Sequence, residues 1–196
     1  MSVKNSYTTA DYLEWDTAMA LIRKLYKDGD YRFSLLIGCG CFFGLRISDL
    51  RKLNWAMLLD DDTFMLNEQK TGKRRIIKIN KGFQKHIQDC YDALKITNRQ
   101  QPCFISQKGG VYSIQRINAR FKEIKVKYGL KIKNFSTHSC RKIFGRRVVD
   151  SAPPGEVEMQ FLRLQTIFNH SSPMITRAYL GFRQKEINDV YESLDF

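Results

Sequence analysis

Apolar residues recur at helical spacing along most of the chain, and the period shortens to two in a single stretch near its first third. Thr8 and Thr9 can cap a helix running from about Asp11 to Lys27, which Asp28-Gly29-Asp30 then breaks. A second, largely buried helix follows from Tyr31 to about Cys41. A third starts within Arg46 to Leu53, with Leu50 and Leu53 turned inward. Asp60-Asp61-Asp62 reads as a turn. Thr63 to Asn67 and Arg74 to Ile79 read as two strands joined across Lys70-Thr71-Gly72-Lys73. An isolated hairpin is marginal in water, so this one is expected to pack on helices or pair with a further strand. Phe83, Ile87, Tyr91 and Leu94 fit another helix. Ser113 caps one whose inner face carries Ile114, Ile117, Phe121, Ile124 and Tyr128. Helices are expected again from His138 to Asp150 and from Phe161 to Phe168, separated by a loop at Pro153-Pro154-Gly155. Ser172-Pro173 opens one more, with serine as cap and proline in the first turn. Ile187, Val190, Tyr191 and Leu194 draw a short amphipathic stripe along the tail from Gln184. The pattern has no internal repeat and predicts an α+β protein, mainly α-helical with one small antiparallel sheet.

Composition adds a partner class. The 196 residues are 43% hydrophobic and 12% aromatic, enough for a substantial core. Lys and Arg number 33 against 20 Asp and Glu, a net charge of +13. The basic residues are spread along the chain, which suits a folded face lying on a polyanion better than a basic arm. An anionic membrane surface is the other possible partner. The run from Leu35 to Leu45 is too short to span a bilayer, and no signal peptide or lipidation motif is present. The expected location is the cytoplasm. Cys39, Cys41, Cys90, Cys103 and Cys140 contain no Cys-x-x-Cys pair and are odd in number, so buried thiols are expected rather than disulfides or zinc.

Six residues carry candidate chemistry. Arg46 lies in Gly44-Leu45-Arg46-Ile47-Ser48-Asp49-Leu50, and His138 and Arg141 lie three apart in Thr137-His138-Ser139-Cys140-Arg141, on one helix face. His170 lies in Asn169-His170-Ser171-Ser172, Tyr179 nine positions later, and Lys70 on the hairpin. Two guanidiniums can clamp one phosphate with bidentate forks and offset charge that builds in its transition state. Imidazole can take a proton from a phenol or donate to phosphate. A phenol attacks phosphorus only with a base or a strongly positive pocket. Singly, each residue has an ordinary reading: a surface arginine, a structural histidine such as mid-helix His86, a packed tyrosine, a solvated turn lysine. Lys73 competes with Lys70 for the same role.

Together these segments resemble the catalytic domain of the tyrosine recombinases, the phage-integrase family. The match runs from roughly Tyr7 to the C-terminus: Gly44 to Leu50 with Asp49 at its acidic position, Gln69 to Arg75, His138-x-x-Arg141, Asn169 to Ser172, and Thr176-Arg177-Ala178-Tyr179. The resemblance implies attack by Tyr179 to give a 3′-phosphotyrosyl link, with Arg46, Arg141 and His170 on the phosphate. It gives His138 proton movement, Lys70 the role of acid, Asp49 a supporting role through hydrogen bonding, and Lys73, Arg74, Arg75 and Lys142 contacts to DNA. It implies no cofactor, no metal and no ATP. The implied partner is double-stranded DNA, bound as a homotetramer, with a monomer or weak oligomer when unbound and accessory DNA-bending proteins as further candidates. The setting would be bacterial or phage, at the nucleoid. One catalytic domain over 1–196 is expected, either a fragment or a minimal form lacking the family's core-binding domain, with residues 182–196 as a tail that docks on a neighbour or folds on its own domain. Ser151 to Met159 is longer than the usual link and is expected to be a loop. Type IB topoisomerase activity, DNA binding without catalysis, and a metal nuclease using Asp60 to Asp62 are the competing readings.

Overall fold

A computed structural model describes residues 11–194, apart from the side chains of 183–186. Thr8 and Thr9, the expected first cap, lie outside the described residues. Contacts divide the chain after Ile143 into two compact units. The first contains α1 (Trp15–Lys27), α2 (Tyr31–Phe43), α3 (Ile47–Leu50), α4 (Trp55–Leu59), β1 (Thr63–Asn67), β2 (Arg74–Lys78), α5 (Lys81–Ala93), α6 (Ile114–Lys127) and the opening of α7 (Thr137–Asp150). The second contains the rest of α7, then α8 (Val157–Phe168), α9 (Pro173–Leu180) and α10 (Phe182–Glu192).

In the first unit α2 is the central element, buried over nearly its whole length. Gly40 makes that possible at one point: a Cβ there would stand 2.5 Å from the Cβ of Cys140 on α7. Gly44 ends α2 in the left-handed region (φ 58°) and turns the chain toward Arg46. α1 begins at Trp15 rather than near Asp11. Asp11 is held instead by the segment before α7, its amide donating to the Asn134 carbonyl (3.2 Å) and its carboxylate accepting from Lys133 N (3.3 Å). α4, five residues capped by the Asn54 side chain, has no counterpart in the sequence pattern, because one turn is too short to show a period.

The hairpin pairs Thr63 with Lys78 through Asn67 with Arg74. Among the described residues the sheet has these two strands only. It packs on helices, with Phe64, Leu66 and Ile77 inward and the Phe64 ring edge-on to Phe43 at 5.2 Å. Asn80 and Ser113 cap α5 and α6 with their side chains.

The second unit has its own core of Val149, Phe161, Leu164, Phe168, Leu180 and Phe182. α8 starts at Val157, four residues before the expected Phe161, so only 151–156 of the expected long link is irregular. Val157, Met159 and Leu162 are exposed, and an apolar residue facing solvent gives no inward stripe from which to read a start. Ser172 caps α9, accepting from Ile175 N at 3.3 Å, with Pro173 in the first turn as the sequence predicts. Of the tail stripe, Ile187, Val190 and Tyr191 lie exposed on α10, and Leu194 lies exposed just beyond its end.

Candidate active site

Within the first unit the structure joins the two arginines through one turn. Arg46 is the residue preceding α3, and its Nη1 meets Glu68 Oε2 at 3.0 Å. Arg141, only 3% exposed, sends Nη1 to the carbonyl of Gly44, two residues before Arg46. His138 sits one helical turn before Arg141, at the start of α7. Its pKa is lowered, first by partial desolvation and then by the positive charges of Arg141, Lys142 and Arg46. Three cations therefore act on one imidazole that still keeps an exposed edge, and the imidazole is neutral near pH 7.

Asp49 on α3 is fully buried and accepts from the backbone amide of Gln69 at 2.7 Å. That bond fastens α3 to the hairpin turn next to Lys70. Lys70 and Lys73 are both exposed on this turn. Arg74 lies exposed along Met65, its Nη2 against Sδ at 2.6 Å. Arg75 points into the protein: one amino group donates to the Phe43 carbonyl at 2.7 Å and the other faces Glu68 at 3.6 Å. Lys142 is largely buried. Of the four expected DNA contacts, Lys73 and Arg74 lie on the surface, while Arg75 and Lys142 are turned inward.

Glu68 is the residue that sequence reasoning missed. It is 4% exposed and receives Arg46, Arg75 and the Thr71 hydroxyl (3.0 Å). A signal existed: Phe64 and Leu66 are inward at period two, so Glu68 occupies the next inward position, where a carboxylate needs cationic partners.

In the second unit His170 and Tyr179 come together. α8 ends at Asn169 in the left-handed region (φ 51°), which throws His170 out of the helix and back onto α9. The His170 and Tyr179 rings are edge-on at 5.4 Å, and Phe168 stands edge-on to Tyr179 at 5.7 Å. His170 Nδ1 is 3.0 Å from the hydroxyl of Thr176, which is fully buried. Arg146 of α7 donates to the Leu180 carbonyl at 3.3 Å and covers the Phe182 ring at 4.2 Å, bracing the end of the helix that carries Tyr179. Arg177 pairs with Glu158 and lies over Phe161 at 4.1 Å, holding α9 on α8.

All five cysteines are buried and none is in a disulfide. The Cys41 thiol is pushed well up by its hydrogen bond with Cys140 and by burial, so it is inert. No group of three or more metal-ligating side chains occurs among the described residues, and none of their helices is long and apolar enough to cross a membrane.

The sequence pattern of the phage integrase family matches residues 13–186. A probable integrase/recombinase of Bacillus subtilis (strain 168), YoeC, is 31% identical over 154 residues, covering 76% of each chain. Among solved structures, XerA recombinase superposes with a TM-score of 0.70 at 19% identity over 94% of this chain, and XerH site-specific recombinase bound to difH with 0.65 at 18% over 92%. The chain spans 66% of the XerA chain and 53% of the XerH chain. This protein belongs to the phage integrase family, the tyrosine recombinases. Its fold, mostly helical with one two-stranded antiparallel sheet, is that of the catalytic domains of those enzymes.

Proposed function

We propose that the protein is a site-specific DNA recombinase or integrase that works through a 3′-phosphotyrosyl intermediate. The Tyr179 oxygen attacks the scissile phosphorus as its proton passes to neutral His138. The bond from phosphorus to the 5′ oxygen breaks, and Lys70 protonates the departing oxygen. Arg46, Arg141 and His170 hold the non-bridging oxygens and offset their developing charge. The covalent link conserves the energy of the broken bond, so a 5′-hydroxyl from another strand reverses the step and exchanges partners without metal or ATP. Lys73 and Arg74 lie against the DNA backbone. Four subunits act on two duplexes, with the α10 tail docking on a neighbour, in the cytoplasm of a bacterium and with DNA-bending proteins as accessory partners.

The observation that carries this reading is the fastening of Arg141 to the Gly44 carbonyl, two residues from Arg46, with a neutral histidine on the same face of α7. Two fixed guanidiniums beside a proton acceptor are what phosphoryl transfer to a phenol requires. The test is Tyr179→Phe on a nicked duplex that traps the cleaved end. Wild type is expected to form a covalent protein–DNA adduct, and the variant to bind the same DNA with unchanged affinity and give none. Equal adduct from the variant removes Tyr179 as nucleophile. Relaxation of supercoils by wild type without strand exchange would indicate a topoisomerase.

A further inference from the structure

Lys70 poses a problem of placement. It is an exposed side chain on a four-residue turn, yet an acid must meet one oxygen of a phosphate held by Arg46. The turn is restrained on both sides of Lys70. Before it, the Gln69 amide donates to Asp49 at 2.7 Å. After it, the Thr71 hydroxyl donates to Glu68 Oε2 at 3.0 Å, the same oxygen that receives Arg46 at 3.0 Å. The backbone of Glu68 also closes the turn, its amide donating to Lys73 O (3.0 Å) and its carbonyl accepting from Gly72 N (2.8 Å). One buried carboxylate thus touches both the clamp arginine and the turn that bears the acid.

We propose that Glu68 is a positioning residue that holds the Lys70 turn in fixed relation to the Arg46 guanidinium without itself touching DNA. The inference rests on the reading of Arg46 as clamp and Lys70 as acid. A carboxylate that served only to pair Arg46 and Arg75 would have no need of Thr71, and a turn held only by its backbone would leave Lys70 to wander. Glu68 does neither: its side chain restrains the residue immediately following Lys70.

The test separates leaving-group protonation from every other step. A duplex is selected from a randomised nicked pool by its covalent adduct with the full-length wild type. It is then resynthesised with sulfur in place of the bridging 5′ oxygen. A thiolate leaves without an acid because a thiol is far more acidic than the corresponding alcohol. On the ordinary duplex Lys70→Ala is expected to slow adduct formation by roughly 10²–10⁴, the range of general-acid catalysis, and Glu68→Gln and Thr71→Val by about tenfold or more. On the sulfur duplex all three are expected to return to near the wild-type rate. Thr71→Val removes the tether from an exposed turn and keeps the test open should Glu68→Gln fold poorly. Glu68→Gln combined with Thr71→Val should be no slower than the worse of the two single variants. Slowing of Glu68→Gln and Thr71→Val by the same factor on both duplexes, or no slowing of folded variants on either, overturns the proposal. Wild type without adduct on any duplex would instead bring down the phosphotyrosyl reading itself.

Discussion

Protonation at two histidines links single residues to stability. Ser34 spends its hydroxyl proton on the Ile22 carbonyl (2.7 Å), so at 3.0 Å it accepts from His86 Nε2, which must carry a proton in the neutral ring. Burial lowers the His86 pKa, against a smaller upward pull from Asp89. His138 is lowered as well, by desolvation and three cations. Both native values lie below the ordinary 6.5. As pH falls through that value the unfolded chain takes up protons that the native chain refuses, so stability is full above it and declines below it. The lowered carboxylates Asp28 and Glu123 start from 3.8 and 4.5 and act only at lower pH. The urea midpoint is therefore expected to hold between about pH 7 and 8 and to fall on acidification from about pH 6.5. A midpoint that rises across that window would contradict the assignment of both rings. His86 was legible as structural from its place in mid-helix, whereas its serine partner, 52 positions away, could not be read from any local pattern.

At the scale of elements, two close approaches set the helices that carry the candidate site residues. α2 and α7 meet at Gly40 against Cys140, between His138 and Arg141 in sequence. α7 and α9 meet at Gly145, where a Cβ would lie 2.6 Å from Leu180 and 3.0 Å from Phe168. An added methyl forces a shift, of Cys140 at its Cβ in the first case and of the Leu180 and Phe168 side-chain ends in the second, and overpacking costs about 1–3 kcal/mol. Gly40→Ala and Gly145→Ala are each expected to lower the melting temperature by several degrees, roughly 2–4 °C per kcal/mol for a chain of this size. Gly145→Ala should in addition slow adduct formation, because it displaces the helix that carries Tyr179. Unchanged melting in both would mean the helices are not pressed together as described. Element type was legible wherever period and cap agreed: Ser113, Ser172-Pro173 and the alternation of the hairpin. It failed where tertiary ties prevailed, as at Asp11, or where an apolar first turn faced solvent, as at Val157. The same distinction runs through the site. Arg46, His138 and Arg141 could be picked out by residue type and spacing. Thr176 could not, because its role exists only through a partner brought in by folding, and strand alternation marks Glu68 as inward without telling which cations it meets.

For the molecule as a whole, the charge of +13 sets how it should respond to salt. Each phosphate that a cation neutralises releases bound counterions, so log affinity for duplex DNA should fall linearly with log salt, with a slope of about −0.9 per phosphate contacted. The charge total alone does not say which cations contribute, and the folded structure divides them. Arg74 lies exposed on the hairpin against the uncharged sulfur of Met65, while Arg75 faces the Glu68 carboxylate and donates to the Phe43 carbonyl. Arg74→Ala is therefore expected to weaken binding for all sequences and to make the slope shallower by about 1, leaving the melting temperature near wild type. Arg75→Ala should behave in the opposite sense. It removes the donor to the Phe43 carbonyl and one of the two cationic partners of Glu68, Arg46 remaining, and a buried acceptor left without its donor costs about 1–3 kcal/mol, so it should lower stability while the slope of the remaining folded protein stays unchanged. The measurement is affinity by fluorescence anisotropy across a salt series, paired with thermal unfolding. The family resemblance gives Arg74 and Arg75, with Lys73 and Lys142, the same contact to DNA. Strand alternation sends them to opposite faces, and an equal change of slope in both variants would show that the side facing inward also reaches DNA.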